Sequence, residues 1–206
     1  MGPGRRAIPL KREVIQAILL LRAHRHTLIG EPPMIETETR AATTLITKIR
    51  VWLVLFIIGL VLSGLTAFPL EREAGILNHL FRVSAGPPQP GESALHSWLR
   101  RVHDGIVTTN RAYPFMAYGT DWLAFAHLVI AIAFLGPLRD PVRNKWVLEF
   151  GAIACAGVVP LALIAGYIRG IPLYWRLIDC SFGVIGIVPL LICLRYVRQI
   201  EQSTSP

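Results

Sequence analysis

The residues from Val51 to Phe68 carry no charge, and Pro69 ends the run. Eighteen residues at the rise of an α-helix make a rod of about 27 Å, enough to cross a thin hydrocarbon core. Backbone polar groups have no water to bond in lipid, so such a run bonds internally as a helix. Three more runs follow, at about 118–135, 150–168 and 174–194. The chain therefore reads as all-α: a polytopic membrane protein whose four transmembrane helices form a bundle. Composition agrees, because 17% of residues are charged, where soluble domains carry about 25%.

The expected organisation is a basic cytoplasmic segment over 1–46, a membrane domain over 47–198 and a cytoplasmic tail over 199–206. Within 1–33, Val14, Ile15, Ile18 and Leu19 have helical spacing between Lys11, Arg12 and Arg22. That pattern fits a helix lying on the membrane surface. An equal reading starts the natural chain at Met34, leaving 1–33 untranslated. No small-residue cleavage site marks a signal peptide.

Charge placement sets the expected topology. The net charge is +8, and Lys48, Arg50, Arg139, Arg143, Lys145, Arg195 and Arg198 flank the spans. Basic residues concentrate on cytoplasmic flanks, which predicts both termini inside the cell membrane. The basic N-terminus is expected to meet anionic lipid head groups. Without an aromatic–basic platform, the charge does not point to nucleic acid. Arg169 and Arg176 near an outer turn run against the rule.

The outer loop, 69–117, has structure of its own. Residues 70–82 have helical character, and the run Gly86–Gly91 (GPPQPG) breaks the chain. Ser93 then caps a helix with Leu95, Trp98, Leu99, Val102 and Ile106 on one face. This amphipathic helix is expected on the outer surface or over the helix ends. Thr120 is the expected cap of the second span. Tyr113, Phe115, Tyr118 and Trp122, with Tyr167, Tyr174 and Trp175, read as an interfacial belt. Gly151, Ala154 and Gly157 are expected to face Cys180, Gly183 and Gly186, since small residues let helices approach closely in lipid. Mid-span Pro160 and Pro189 each remove a backbone hydrogen bond.

Ionisable residues inside spans are costly and are functional hypotheses by default. Asp121, His127, Arg176 and Asp179 are expected in a polar layer toward the outer leaflet, with Glu149 at the inner end of the third span. A structural reading pairs Arg176 and Asp179 with each other or with Asp121, and bonds His127 to a hydroxyl or carbonyl on a neighbouring helix. A functional reading makes these four a ligand-binding cluster roofed by the amphipathic helix. Haem b between His127 and His103, or quinone near His127, is an alternative that a Soret absorbance in the purified protein would test. His96 and His103 lie about 10 Å apart along a helix, too far to share a metal. Cys155, Cys180 and Cys193 lack paired spacing and read as small hydrophobes. No nucleophile elbow, phosphate loop or HExxH pair occurs. The leading expectation is a non-catalytic accessory or ligand-binding subunit, as a homo-oligomer or in a larger membrane complex. Alternatives are the redox subunit and a small oligomeric transporter or channel.

Overall fold

A computed structural model of the chain describes residues 34–83 and 91–204. The amphipathic stretch around Val14–Leu19 and most of the GPPQPG break lie outside them. No strand occurs among the described residues, and four helices are long and apolar enough to cross a bilayer. The chain is an all-α, multi-pass membrane bundle.

Helix α1 spans Met34–Ala67 and is longer than its uncharged run. It begins inside the expected cytoplasmic segment 1–46, so part of that segment extends the first span. Leu70–Leu80 forms α2 and Ala94–Ala112 forms α3. A short 3₁₀ turn, Pro114–Ala117, leads into α4, Tyr118–Ala133. Helix α5, Leu135–Arg139, continues α4 after a break at Phe134. Helices α6, Lys145–Ile168, and α7, Leu173–Thr204, form the last hairpin. Pro160 and Pro189 both lie inside these helices.

The main helix packings are α6 on α7, α1 on α4, α1 on α7 and α2 on α3. Span one is therefore the middle of the bundle, between span two and the last hairpin. Its close approach to α4 depends on Gly64, where a Cβ would sit 2.9 Å from the Ala124 carbonyl oxygen. The last hairpin closes at Gly183, where a Cβ would come within 2.5 Å of the Cys155 carbonyl oxygen. The expected small-residue stripe is thus shifted on α6. Gly151 is buried, but Ala154 and Gly157 are exposed. Cys155 and Val158 meet Gly183 in their place.

The best-buried side chains gather at the end that carries the first residues of α1 and the last of α7. Ile49, Leu53, Phe134, Leu148, Leu190 and Val197 form this core. Polar contacts tie the same end together. Arg50 Nε donates to the Leu138 carbonyl at 3.2 Å, and Lys145 Nζ meets Glu201 Oε2 at 2.8 Å. Elsewhere the spans are turned outward: only 11% of the most apolar stretch of span one is buried, and 28% of span four. Apolar surface of that extent has lipid as its solvent.

At the opposite end, α2 and α3 form a helical hairpin over the span ends. Ser93 Oγ accepts from the His96 amide at 3.2 Å, the expected N-cap. Thr120 is not a cap: α4 starts at Tyr118, and the Thr120 hydroxyl donates back to the Ala117 carbonyl at 2.7 Å. Its position in the first turn leaves that carbonyl as the nearest acceptor. Tyr174 and Trp175 are half-buried against α3 rather than in a free belt. Tyr174 Oη donates to the Ala94 carbonyl at 3.1 Å, and the Trp175 ring lies 6.3 Å from that of Trp98. These contacts hold α3 to the fourth span. Tyr113, Phe115, Tyr118 and Trp122 are exposed, consistent with an interfacial belt.

Candidate functional site

Between the α2–α3 hairpin and the span ends lies an open cleft of about 1170 Å³. Helix α3 supplies one wall from a stripe at helical spacing: Trp98, Arg101, Val102, Gly105 and Thr109. The expected apolar face therefore divides. Leu99 is buried away from the cleft, while Trp98, Val102 and Ile106 line it. Phe68, Leu70 and Arg72 supply a second wall where α1 turns into α2. Met116, Ala117 and Thr120 form the floor at the start of span two, with Arg169 and Gly170 from the turn between spans three and four.

That turn is built by local hydrogen bonds. Gly170 has φ +66°, its amide donates to the Tyr167 carbonyl, and the Ile171 amide donates to that of Gly166. This is the Schellman pattern, which satisfies two of the last carbonyls of α6 and reverses the chain beside the cleft.

The cleft is cationic. Arg72, Arg101 and Arg169 are exposed on its walls, and none makes an ion pair or a side-chain hydrogen bond among the described residues. The one carboxylate there, Glu71, accepts from Asn110 Nδ2 at 2.9 Å. His103 also lines the cleft, with Nδ1 at 3.6 Å from Asp104. Behind the wall, Arg100 is 7% exposed and pairs with Glu92. Ser97 Oγ donates to the other Glu92 oxygen at 3.1 Å. Arg100 Nε and Nη1, Trp98 Nε1 and Asn78 Oδ1 are buried without a hydrogen-bond partner among the described residues. Pairing offsets the desolvation of two charges only in part, and orphaned donors add to the cost. The hairpin thus carries a polar desolvation cost next to the cleft wall.

The four ionisable residues read from the sequence are not on the cleft wall. Asp121 and His127 stand on span two, which packs on span one, and Arg176 and Asp179 on span four, which packs on spans one and three. Asp121 lies in the first turn of α4, and Asp179 is half-buried on α7. Neither has a side-chain hydrogen bond or ion pair among the described residues. The expected pairing of Arg176 with Asp179 or Asp121 is replaced by another arrangement. The Arg176 stem lies over Gly166, where a Cβ would be 2.5 Å from its Cδ. Its Nη1 then reaches the Leu163 carbonyl at 3.2 Å, and the guanidinium sits 5.8 Å from the centre of the Tyr167 ring. The missing side chain at Gly166 lets α6 accept the arginine, so it turns away from the carboxylates.

His127 is half-buried beside Gly64, with Nδ1 2.8 Å from the Leu123 carbonyl oxygen. A carbonyl oxygen only accepts, so Nδ1 is the donor in this contact. His103 lines the cleft and His127 does not, so the two histidines do not share that cavity.

The residues that sequence reasoning missed are Arg72, Arg101 and Arg169. One signal was present: Arg169 runs against the expected positive-inside pattern. Compared with known proteins, the chain matches no family model, no curated sequence and no solved structure.

Proposed function

We propose that the chain is a non-catalytic membrane protein, an accessory or ligand-binding subunit, that holds a small molecule in the cleft beneath α3. The observation that supports this most is the cleft itself. Its volume, about 1170 Å³, is above the usual range of small-molecule sites, about 300–1,000 Å³. Its walls combine apolar side chains with a few polar ones, as binding sites do. The proposed topology puts both termini in the cytoplasm and the cleft on the outer face of the cell membrane. The unbalanced basic residues around Lys48, Arg143 and Arg198 support that orientation. Assembly with a partner or with further copies belongs to the same proposal.

Gly105 offers a direct test. It lines the cleft, and a Cβ there would meet nothing within 4 Å. Gly105→Phe should put a ring into the cleft and narrow it at the α3 wall without disturbing the helix. A small molecule is expected to travel with the purified native chain in native mass spectrometry and to be retained less by Gly105→Phe. A native chain without any bound molecule, or one whose bound molecule ignores the substitution, would count against the reading.

A further inference from the structure

We infer that the ligand of this cleft is an anionic amphiphile, a phosphate head group on an apolar chain, with Arg72, Arg101 and Arg169 as partners of the phosphate. The inference rests on the proposal that the cleft is the ligand site and names what enters it.

Three observations carry it. First, the three arginines come from three separate elements, α2, α3 and the α6–α7 turn, so only the tertiary fold brings them onto one cavity. Second, none has an ion-pair partner among the described residues, and Glu71, the one carboxylate among the described residues of the wall, already accepts from Asn110. Like charges sharing a cleft repel, and an anion relieves that repulsion while gaining charge-assisted hydrogen bonds. Guanidinium geometry suits phosphate oxygens in particular. Third, part of the wall is apolar and sits at the span ends, beside polar side chains such as His103, Thr109 and Thr120: Phe68 and Leu70 follow span one, and Met116 and Ala117 precede span two. That is the depth at which a lipid changes from head group to chain. A free anion uses the arginines alone. An amphiphile uses both surfaces.

The test uses the full chain in phosphatidylcholine nanodiscs doped with dioleoylphosphatidic acid, with retained lipid read by native mass spectrometry. Phosphatidic acid should be retained over phosphatidylcholine by about tenfold or more, the scale of one charge-assisted contact. The variant Arg72→Gln/Arg101→Gln/Arg169→Gln should lose that preference. Arg195→Gln/Arg198→Gln, at the other end of the bundle, should keep it. Gly105→Phe should weaken lipid retention by narrowing the cleft while leaving the arginines intact, which guards against misfolding of the triple variant. Equal retention of the two lipids by the native chain overturns the inference, as does a preference that survives the triple substitution. Inorganic phosphate competing as well as the lipid would also overturn it, in favour of a free anion. If neutral lipid is retained without preference and Gly105→Phe weakens its retention, the anion assignment fails and the cleft reading stands. If Gly105→Phe leaves retention unchanged, the cleft reading itself fails.

Discussion

Single residues in this bundle act largely through the absence of side-chain volume. At Gly183 the neighbouring helix brings a backbone carbonyl to 2.5 Å from where a Cβ would stand. Backbone cannot step aside as a flexible side chain can, so Gly183→Ala must push α6 and α7 apart. The expected cost is about 1–3 kcal/mol, typical of overpacking. Gly157, one of the residues expected at the same interface, has nothing within 4 Å. Gly157→Ala should be neutral or stabilising, since alanine is the better helix former by about 1 kcal/mol. Thermal unfolding of the two variants in the same detergent checks the contrast. Equal effects would mean that α6 and α7 do not approach as described. The arginines follow similar local logic. Arg176 goes to the Leu163 carbonyl because Gly166 leaves a groove for its stem. Arg72, Arg101 and Arg169 have no such acceptor among the described residues.

At the scale of elements, helix ends decide how the extra-membrane hairpin sits. Helix α2 ends as α6 does: the Arg82 amide donates to the His79 carbonyl and the Val83 amide to that of Asn78. The residue that must turn left-handed is glycine at the end of α6 but arginine at the end of α2, where Arg82 has φ 52°. A side chain in that region is strained by about 1 kcal/mol or more. Arg82 is exposed and makes no side-chain hydrogen bond or ion pair among the described residues. Arg82→Gly should therefore stabilise the hairpin by up to about 1 kcal/mol, part of the gain being lost to the freer unfolded chain. Slower amide exchange in α2 with unchanged exchange in the spans is the expected readout. Faster exchange in α2 would show that the strained turn is not the limiting feature. The amphipathic character of α3 and its Ser93 cap were legible because both depend on residues close in sequence. Its division into a buried side and a cleft-facing side was not, since that depends on where α2, Tyr174 and Trp175 stand.

For the whole molecule, the arrangement to be tested is two unlike ends. One carries the buried core around Ile49, Phe134 and Val197. The other carries the hairpin and its cationic cleft. Single cysteines in a cysteine-free background separate the faces, because Thr108 and Ser203 are both exposed at opposite ends. Thr108→Cys should react with a membrane-impermeant maleimide in intact cells, and Ser203→Cys only after permeabilisation. The reverse pattern would turn the topology over and place the cleft in the cytoplasm.

The primary sequence alone determined that the chain is helical, crosses a bilayer four times and carries an extra amphipathic helix. Each of those features follows from local runs and spacings, and the absence of water in lipid leaves a long apolar run one backbone solution. Only the tertiary structure decided which polar residues share a site. Asp121, His127, Arg176 and Asp179 were conspicuous because charges are rare inside spans, yet none of them lines the cleft. Arg72, Arg101 and Arg169 lie far apart in the chain, and each alone resembles an ordinary surface cation. Their common cleft exists because α3 is held over the span ends by Tyr174 and Trp175, a contact between residues about eighty positions apart in sequence.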